Sequence, residues 1–146
     1  MINGRRLNER LEELATIGKD ANGGVSRFSY TDTEKTANNL VQQWMEAAGL
    51  TVQIDAVGNV IGSLEGSEDL PVILLGSHID TVPNGGKYDG ALGVLTAIEA
   101  VHSLQENEKR LRHPIKVISF KDEEGTRFGF GMIGSRAVAG TLTEND

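Results

Sequence analysis

Pro71-Val72-Ile73-Leu74-Leu75-Gly76-Ser77 decides the fold. The run is apolar at consecutive positions and follows an acidic loop. Such a pattern suits a strand buried on both faces, as in a parallel sheet. Leu92, Leu95, Ile98, Val101 and Leu104 come next, each three residues from the last, which marks one face of a helix. Pro114-Ile115-Lys116-Val117-Ile118-Ser119-Phe120 is a second apolar strand. A helix flanked by the two most apolar strands predicts an α/β domain with a mixed, largely parallel sheet flanked by helices. In such sheets the working site lies beyond the carboxyl ends of the strands.

Moving outward, Leu7, Leu11, Leu14 and Ile17 predict a helix from about Asn3 to Ile17, stopped by Gly18. Residues 19–29 are rich in Gly, Asn and Ser and read as a loop. Thr31-Asp32-Thr33-Glu34 has the form of a capping box, with Thr31 capping an amide and Glu34 reaching back. The helix it opens carries Leu40, Val41, Trp44, Met45 and Ala48 and ends at Gly49. Thr51 to Asp55 and Val60 to Leu64 then alternate, with Gly58-Asn59 as a turn between two strands. A short helix is expected from about Ile133 to Ala139, and Thr141 to Asp146 look frayed.

The 146 residues fit one domain. The composition of 38% hydrophobic residues plus 18 glycines excludes disorder for most of the chain. No apolar run approaches the ~18 residues that a membrane span needs. Two arginines near the N-terminus precede no apolar stretch, so no secretory signal is expected and the cytoplasm is the expected compartment. The absence of cysteine excludes disulfides and thiolate metal sites. A net charge of −7 argues against nucleic-acid binding and is compatible with bound cations.

Two strand ends carry the informative residues. One reads Gly76-Ser77-His78-Ile79-Asp80, the other Phe120-Lys121-Asp122-Glu123-Glu124-Gly125. Asn84-Gly85-Gly86-Lys87-Tyr88-Asp89-Gly90 lies between them. A histidine alone at a strand end is more often structural. Asp80 lies two residues on, on the same side of a strand, where a carboxylate can fix the imidazole tautomer. Asp89 alone reads as a turn residue, and Glu123-Glu124 alone as a solvated acidic loop. Together they form a nitrogen and oxygen ligand set suited to Zn²⁺, Mn²⁺, Co²⁺ or Ni²⁺. His78, Asp89, Glu123 and Glu124 supply the parts of a two-metal site: ligands, a bridging carboxylate and a base. Gly86-Lys87 fails as a phosphate loop, because position 81 is Thr and Tyr88 stands where Ser or Thr is required. No Gly-x-Ser-x-Gly or His-Glu-x-x-His occurs, and His102 and His113 read as structural.

The stretch from Gly76 to Gly90 resembles the metal-binding segment of the M20 metallopeptidase superfamily. Its Gly-Gly-Lys-Tyr-Asp-Gly form is similar to the branch of N-carbamoyl-L-amino acid hydrolases, allantoate amidohydrolases and bacterial β-ureidopropionases. Phe120 to Gly129 resembles the second motif of that branch, and Gly134-Ser135-Arg136-Ala137 and Gly140 fit its continuation. Gly23 to Arg27 and Asp55 to Asn59 fit as well. The resemblance implies a partial zinc-exopeptidase-like catalytic domain over residues 1–146, with two divalent metal ions. It implies that His78 binds the first ion, Asp89 bridges, Glu124 binds the second, Glu123 is the general base and Asp80 orients His78. It implies hydrolysis of a linear carbamoyl or ureido C–N bond in a small molecule, and a cis peptide at Asp89-Gly90. Family enzymes are several hundred residues long and homodimeric, and two further histidine ligands lie later in their chains. The chain therefore resembles an N-terminal fragment with a half-built site, expected to be inactive alone and to expose apolar surface. An M20 peptidase and a non-catalytic truncated α/β module are the alternatives.

Overall fold

Asn3 caps the first helix: its side chain accepts the amide of Arg6, and α1 runs Gly4–Thr16. The computed structural model describes residues 1–143; the last three of the residues expected to fray lie outside them. Thr31 caps α2, Asp32–Ala47, by accepting the Glu34 amide at 3.3 Å. Strands β1 (Thr51–Ile54), β2 (Val60–Leu64) and β3 (Ile73–His78) follow. Helix α3 (Ala91–Glu106), strand β4 (Ile115–Phe120) and the short helix α4 (Ile133–Val138) complete the order. No helix among the described residues is long and apolar enough to cross a membrane.

The strands form one sheet in the order β1-β2-β4-β3. It is mixed, but only β3 and β4 are parallel; β1–β2 and β2–β4 are antiparallel. The expectation of a largely parallel sheet is thus corrected. The short link from Asp55 to Asn59 cannot make a crossover, so β1 and β2 form a hairpin. The long crossover through α3 is what makes β3 and β4 parallel.

Leu11 and Leu14 of α1, Val41 and Met45 of α2, and Leu95 and Ile98 of α3 share one core with Val60, Ile115 and Val117. Each such side chain contributes roughly 1.5–3 kcal/mol on burial. Trp44 closes this core on α2, with the Arg10 guanidinium 5.6 Å from its ring centre. Ile61 and Ile118 are buried outside that cluster, as alternation along a strand requires. A second correction concerns β3. It lies at the sheet edge, and Val72, Ile73 and Leu74 are exposed rather than buried on both faces. A strand hydrogen-bonded on one side only leaves its other edge uncovered.

A buried ion pair ties α1 to α3. Arg6 Nε donates to Glu99 at 2.7 Å, and its Nη1 donates to Glu106 at 2.5 Å. The Asn3 amide and Ser103 hydroxyl also donate to Glu99. Burial pushes the Glu99 carboxyl up, but Arg6, Asn3 and Ser103 outweigh it and hold it at about 2. A carboxyl depressed from 4.5 to about 2 contributes roughly 3 kcal/mol at about 1.4 kcal/mol per pH unit. That stability is present above pH 4.5 and is lost as pH falls through the folded value of about 2. Glu99→Gln is therefore expected to lower the urea midpoint at pH 7 and to flatten its fall below pH 4.5. An unchanged acid limb would show that the pair is not responsible.

Candidate metal centre

Because β3 and β4 are parallel, their carboxyl ends reach one sheet edge, where His78 pairs with Phe120. His78 is buried, with Nδ1 at 3.0 Å from the Asp80 carbonyl oxygen and 3.4 Å from its carboxylate. Both neighbours accept hydrogen bonds, so Nδ1 carries the proton and Nε2 is left free. Nε2 faces Asp89 Oδ1 at 3.8 Å and Glu123 Oε2 at 3.6 Å. The ligand atoms of His78, Asp89 and Glu124 lie within 4.8 Å of one another. One imidazole and two carboxylates, with no thiolate, fit a divalent ion of the zinc or manganese kind.

Asp80 does more than orient His78. Its Oδ1 accepts the Glu123 amide at 3.2 Å and its Oδ2 accepts the Glu124 amide at 3.1 Å. One buried carboxylate therefore joins the end of β3 to the backbone of the acidic pair. Burial pushes Asp80 up, but His78 and the two amides bring it below its ordinary value. Burial pushes His78 down, and Asp80 with Glu123 raises it to a net value above the usual one. Burial pushes Glu124 up, and Glu123, Asp89 and Asp80 add to this against His78. That is the shift expected of crowded carboxylates.

The peptide bond between Asp89 and Gly90 is trans, correcting the expectation of a cis bond. The turn is made instead by Gly90 in the left-handed region at φ +62°, against the His78 ring. The acidic loop is held from behind as well. Gly134, Ile133 and Met132 donate their amides to the carbonyls of Lys121, Asp122 and Glu123, at 2.7, 3.2 and 3.0 Å.

All five site residues read from the sequence meet at this edge. His102 and His113 stay apart, next to Arg10 and the Pro71 carbonyl respectively. Sequence reasoning missed several supports. Arg27 is buried and donates to the carbonyls of Ile79, Leu14 and Ile17, pinning the residue between His78 and Asp80 to the end of α1. Burial pushes its guanidinium down to about 10. Glu34 accepts the Tyr30 amide at 2.7 Å, one residue before the amide that a capping box predicts, and pairs with Lys121. The sequence pattern marks Glu34 only as a helix-start residue. Asn59, read only as a turn residue, is fully buried and accepts the Lys121 amide.

Comparison with known proteins places the chain in a family. The model of peptidase family M28 matches residues 59–146. The chain belongs to that family. M28 is related in fold to the M20 superfamily of the sequence resemblance. This M28-family chain is 54% identical over 143 residues to an N-carbamoyl-L-amino acid amidohydrolase of Geobacillus stearothermophilus, covering 97% of this chain and 35% of that one. It is 43% identical over 136 residues to a ureidoglycolate hydrolase of Arabidopsis thaliana, covering 92% of this chain and 29% of the relative. Its fold superposes on a hydantoinase/carbamoylase family amidase of Burkholderia ambifaria with a TM-score of 0.95 at 39% identity, covering 99% and 36% of the two chains. The M28-family chain thus spans about a third of the length of these relatives.

Proposed function

We propose that this sheet edge is part of a metal-dependent amidohydrolase site that cleaves a linear carbamoyl or ureido C–N bond. The observation that carries the reading is the convergence of ligand atoms of His78, Asp89 and Glu124 within 4.8 Å, with Glu123 beside them. The names of the relatives support the bond class, since carbamoyl amino acids and ureidoglycolate share the ureido group.

In this reading His78, Asp89 and Glu124 would be this chain's ligands to two divalent ions, His78 serving one, Glu124 the other and Asp89 both. Such ions would supply a lowered pKa for bound water and polarisation of the scissile carbonyl. Asp80 fixes the His78 tautomer and the spacing of the acidic pair. Glu123, 3.6 Å from His78 Nε2, takes the proton from the attacking water. It returns the proton to the departing nitrogen as the C–N bond breaks. The products are an amine and a carbamate, which decomposes to carbon dioxide and ammonia. The remaining ligands and the contacts that choose among carbamoyl amino acid, allantoate and β-ureidopropionate come from chain beyond this segment, in a homodimeric whole.

The test is a chimera in which residues 1–146 replace the matching segment of the Geobacillus relative. It is expected to release ammonia from an N-carbamoyl-L-amino acid with added Mn²⁺ or Co²⁺, while the segment alone does not. A folded, metal-loaded chimera without turnover would reject the proposed function. Turnover by the segment alone would reject its dependence on further chain.

A further inference from the structure

The Asp55-to-Asn59 turn has no part in the reaction proposed above, yet it is wired into the acidic loop. Asn59 is fully buried. Its Nδ2 donates to the Asp55 carboxylate at 2.7 Å and to the Gly134 carbonyl at 3.1 Å. Its Oδ1 accepts the Lys121 amide at 2.8 Å. Two acceptors on one side and a donor on the other leave the amide only one orientation. Asp55 holds the turn itself, its Oδ1 accepting the amides of Val57, Gly58 and Asn59. A Cβ at Gly134 would collide with Asn59 Oδ1 and with the Lys121 amide, so glycine is what lets the three strands of chain meet.

We infer that Asn59 is a positioning residue that sets where Glu123 and Glu124 stand. The Lys121 peptide is gripped on both sides, by Asn59 at its N–H and by the Gly134 amide at its carbonyl. Two and three residues further on, Asp80 grips the amides of Glu123 and Glu124. The acidic pair is thus strung between two buried side chains, Asp80 inside the site and Asn59 outside it. Without Asn59 the buried Lys121 N–H loses its acceptor and the Gly134 carbonyl loses the side-chain donor that ties it to the turn. The outer anchor is then gone, and the loop is held by Asp80 alone. An aspartate cannot substitute, because it would face the Asp55 carboxylate and the Gly134 carbonyl with no hydrogen to give. The local tie stands on these contacts; its consequence for metal rests on the site reading above.

Amide hydrogen exchange on the full 146-residue chain tests this without any metal. In Asn59→Ala the Glu123 and Glu124 amides should exchange about 10–100 times faster, while those of Val117 and Ile118 in β4 keep their protection. Gly134→Ala, which displaces the same contact with Asn59 intact, should do the same. Val101→Ala, a core truncation in α3, should not accelerate those two amides selectively. Unchanged Glu123 and Glu124 exchange, a uniform rise along the chain, an equal rise in Val101→Ala, or loss of the whole fold in both loop variants would each overturn the inference. Zn²⁺ titration of the same proteins should show about 10–100-fold weaker binding in Asn59→Ala, as for other partners of metal ligands. Failure of the unaltered chain to bind Zn²⁺ would count against the proposed function and leave the exchange result standing.

Discussion

Glu123→Gln in the chimera is expected to lower turnover by about 10²–10⁴, the range that a positioned general base supplies. Glutamine keeps the shape and the backbone contact to Asp80, which is made by the residue 123 amide and not by its side chain. It cannot take a proton from water. His78, Asp89 and Glu124 are untouched, so metal content should stay the same. Among the described residues only Glu123 combines closeness to His78 Nε2, at 3.6 Å, with absence from the ligand triad. Steady-state rates and elemental analysis on the same preparation decide the matter. A variant that turns over within tenfold of the parent excludes Glu123 as the base, and one that loses metal makes it a ligand.

Asp80→Ala should cost the metal-free chain about 3–5 kcal/mol, the usual result of removing one member of a buried ion pair. Two amides lose their acceptor and His78 Nδ1 loses its carboxylate. The sign of the pH dependence follows from both partners. Asp80 is depressed in the fold, so its contribution is present above its unfolded pKa and lost as pH falls through the folded one. His78 is raised, so its contribution is full below its unfolded pKa and lost as pH rises through the folded one. The pair is strongest between roughly pH 4 and 6.5. Urea midpoints of parent and variant should therefore differ more at pH 5.5 than at pH 8.5. An equal difference at the two values would mean that the ion pair carries none of the cost.

The elements and the ligand cluster were legible because both depend on short-range pattern. Asn3, Thr31 and the three-residue apolar spacing mark helices whatever they pack against. His78 and Glu124 could be placed together because one ends a strand and the other follows a strand, and strands joined through a helix point the same way. What escaped the sequence depends on distant partners. The edge position of β3 could not be read, because the same apolar run serves a central or a terminal strand. Asn59 looked like a turn residue and is one, but its second role needs Lys121 and Gly134 beside it. Arg27 satisfies three carbonyls from two separate segments, and no local spacing announces that. A buried cation held by main-chain carbonyls has no sequence pattern of its own.

The chain has one tryptophan, and its place under Arg10 in the core makes it a selective optical probe. Trp44 emission follows the packing of α2 on the sheet. Tyr30 and Tyr88 are the only tyrosines, and both lie close to the site loops, Tyr30 in edge contact with Phe128 and Tyr88 beside Asp89. Excitation at 295 nm therefore reads the body of the molecule, while tyrosine absorbance reads its working edge. Cation binding that shifts the second signal and leaves the first unchanged would be a local event, separable in one cuvette from refolding.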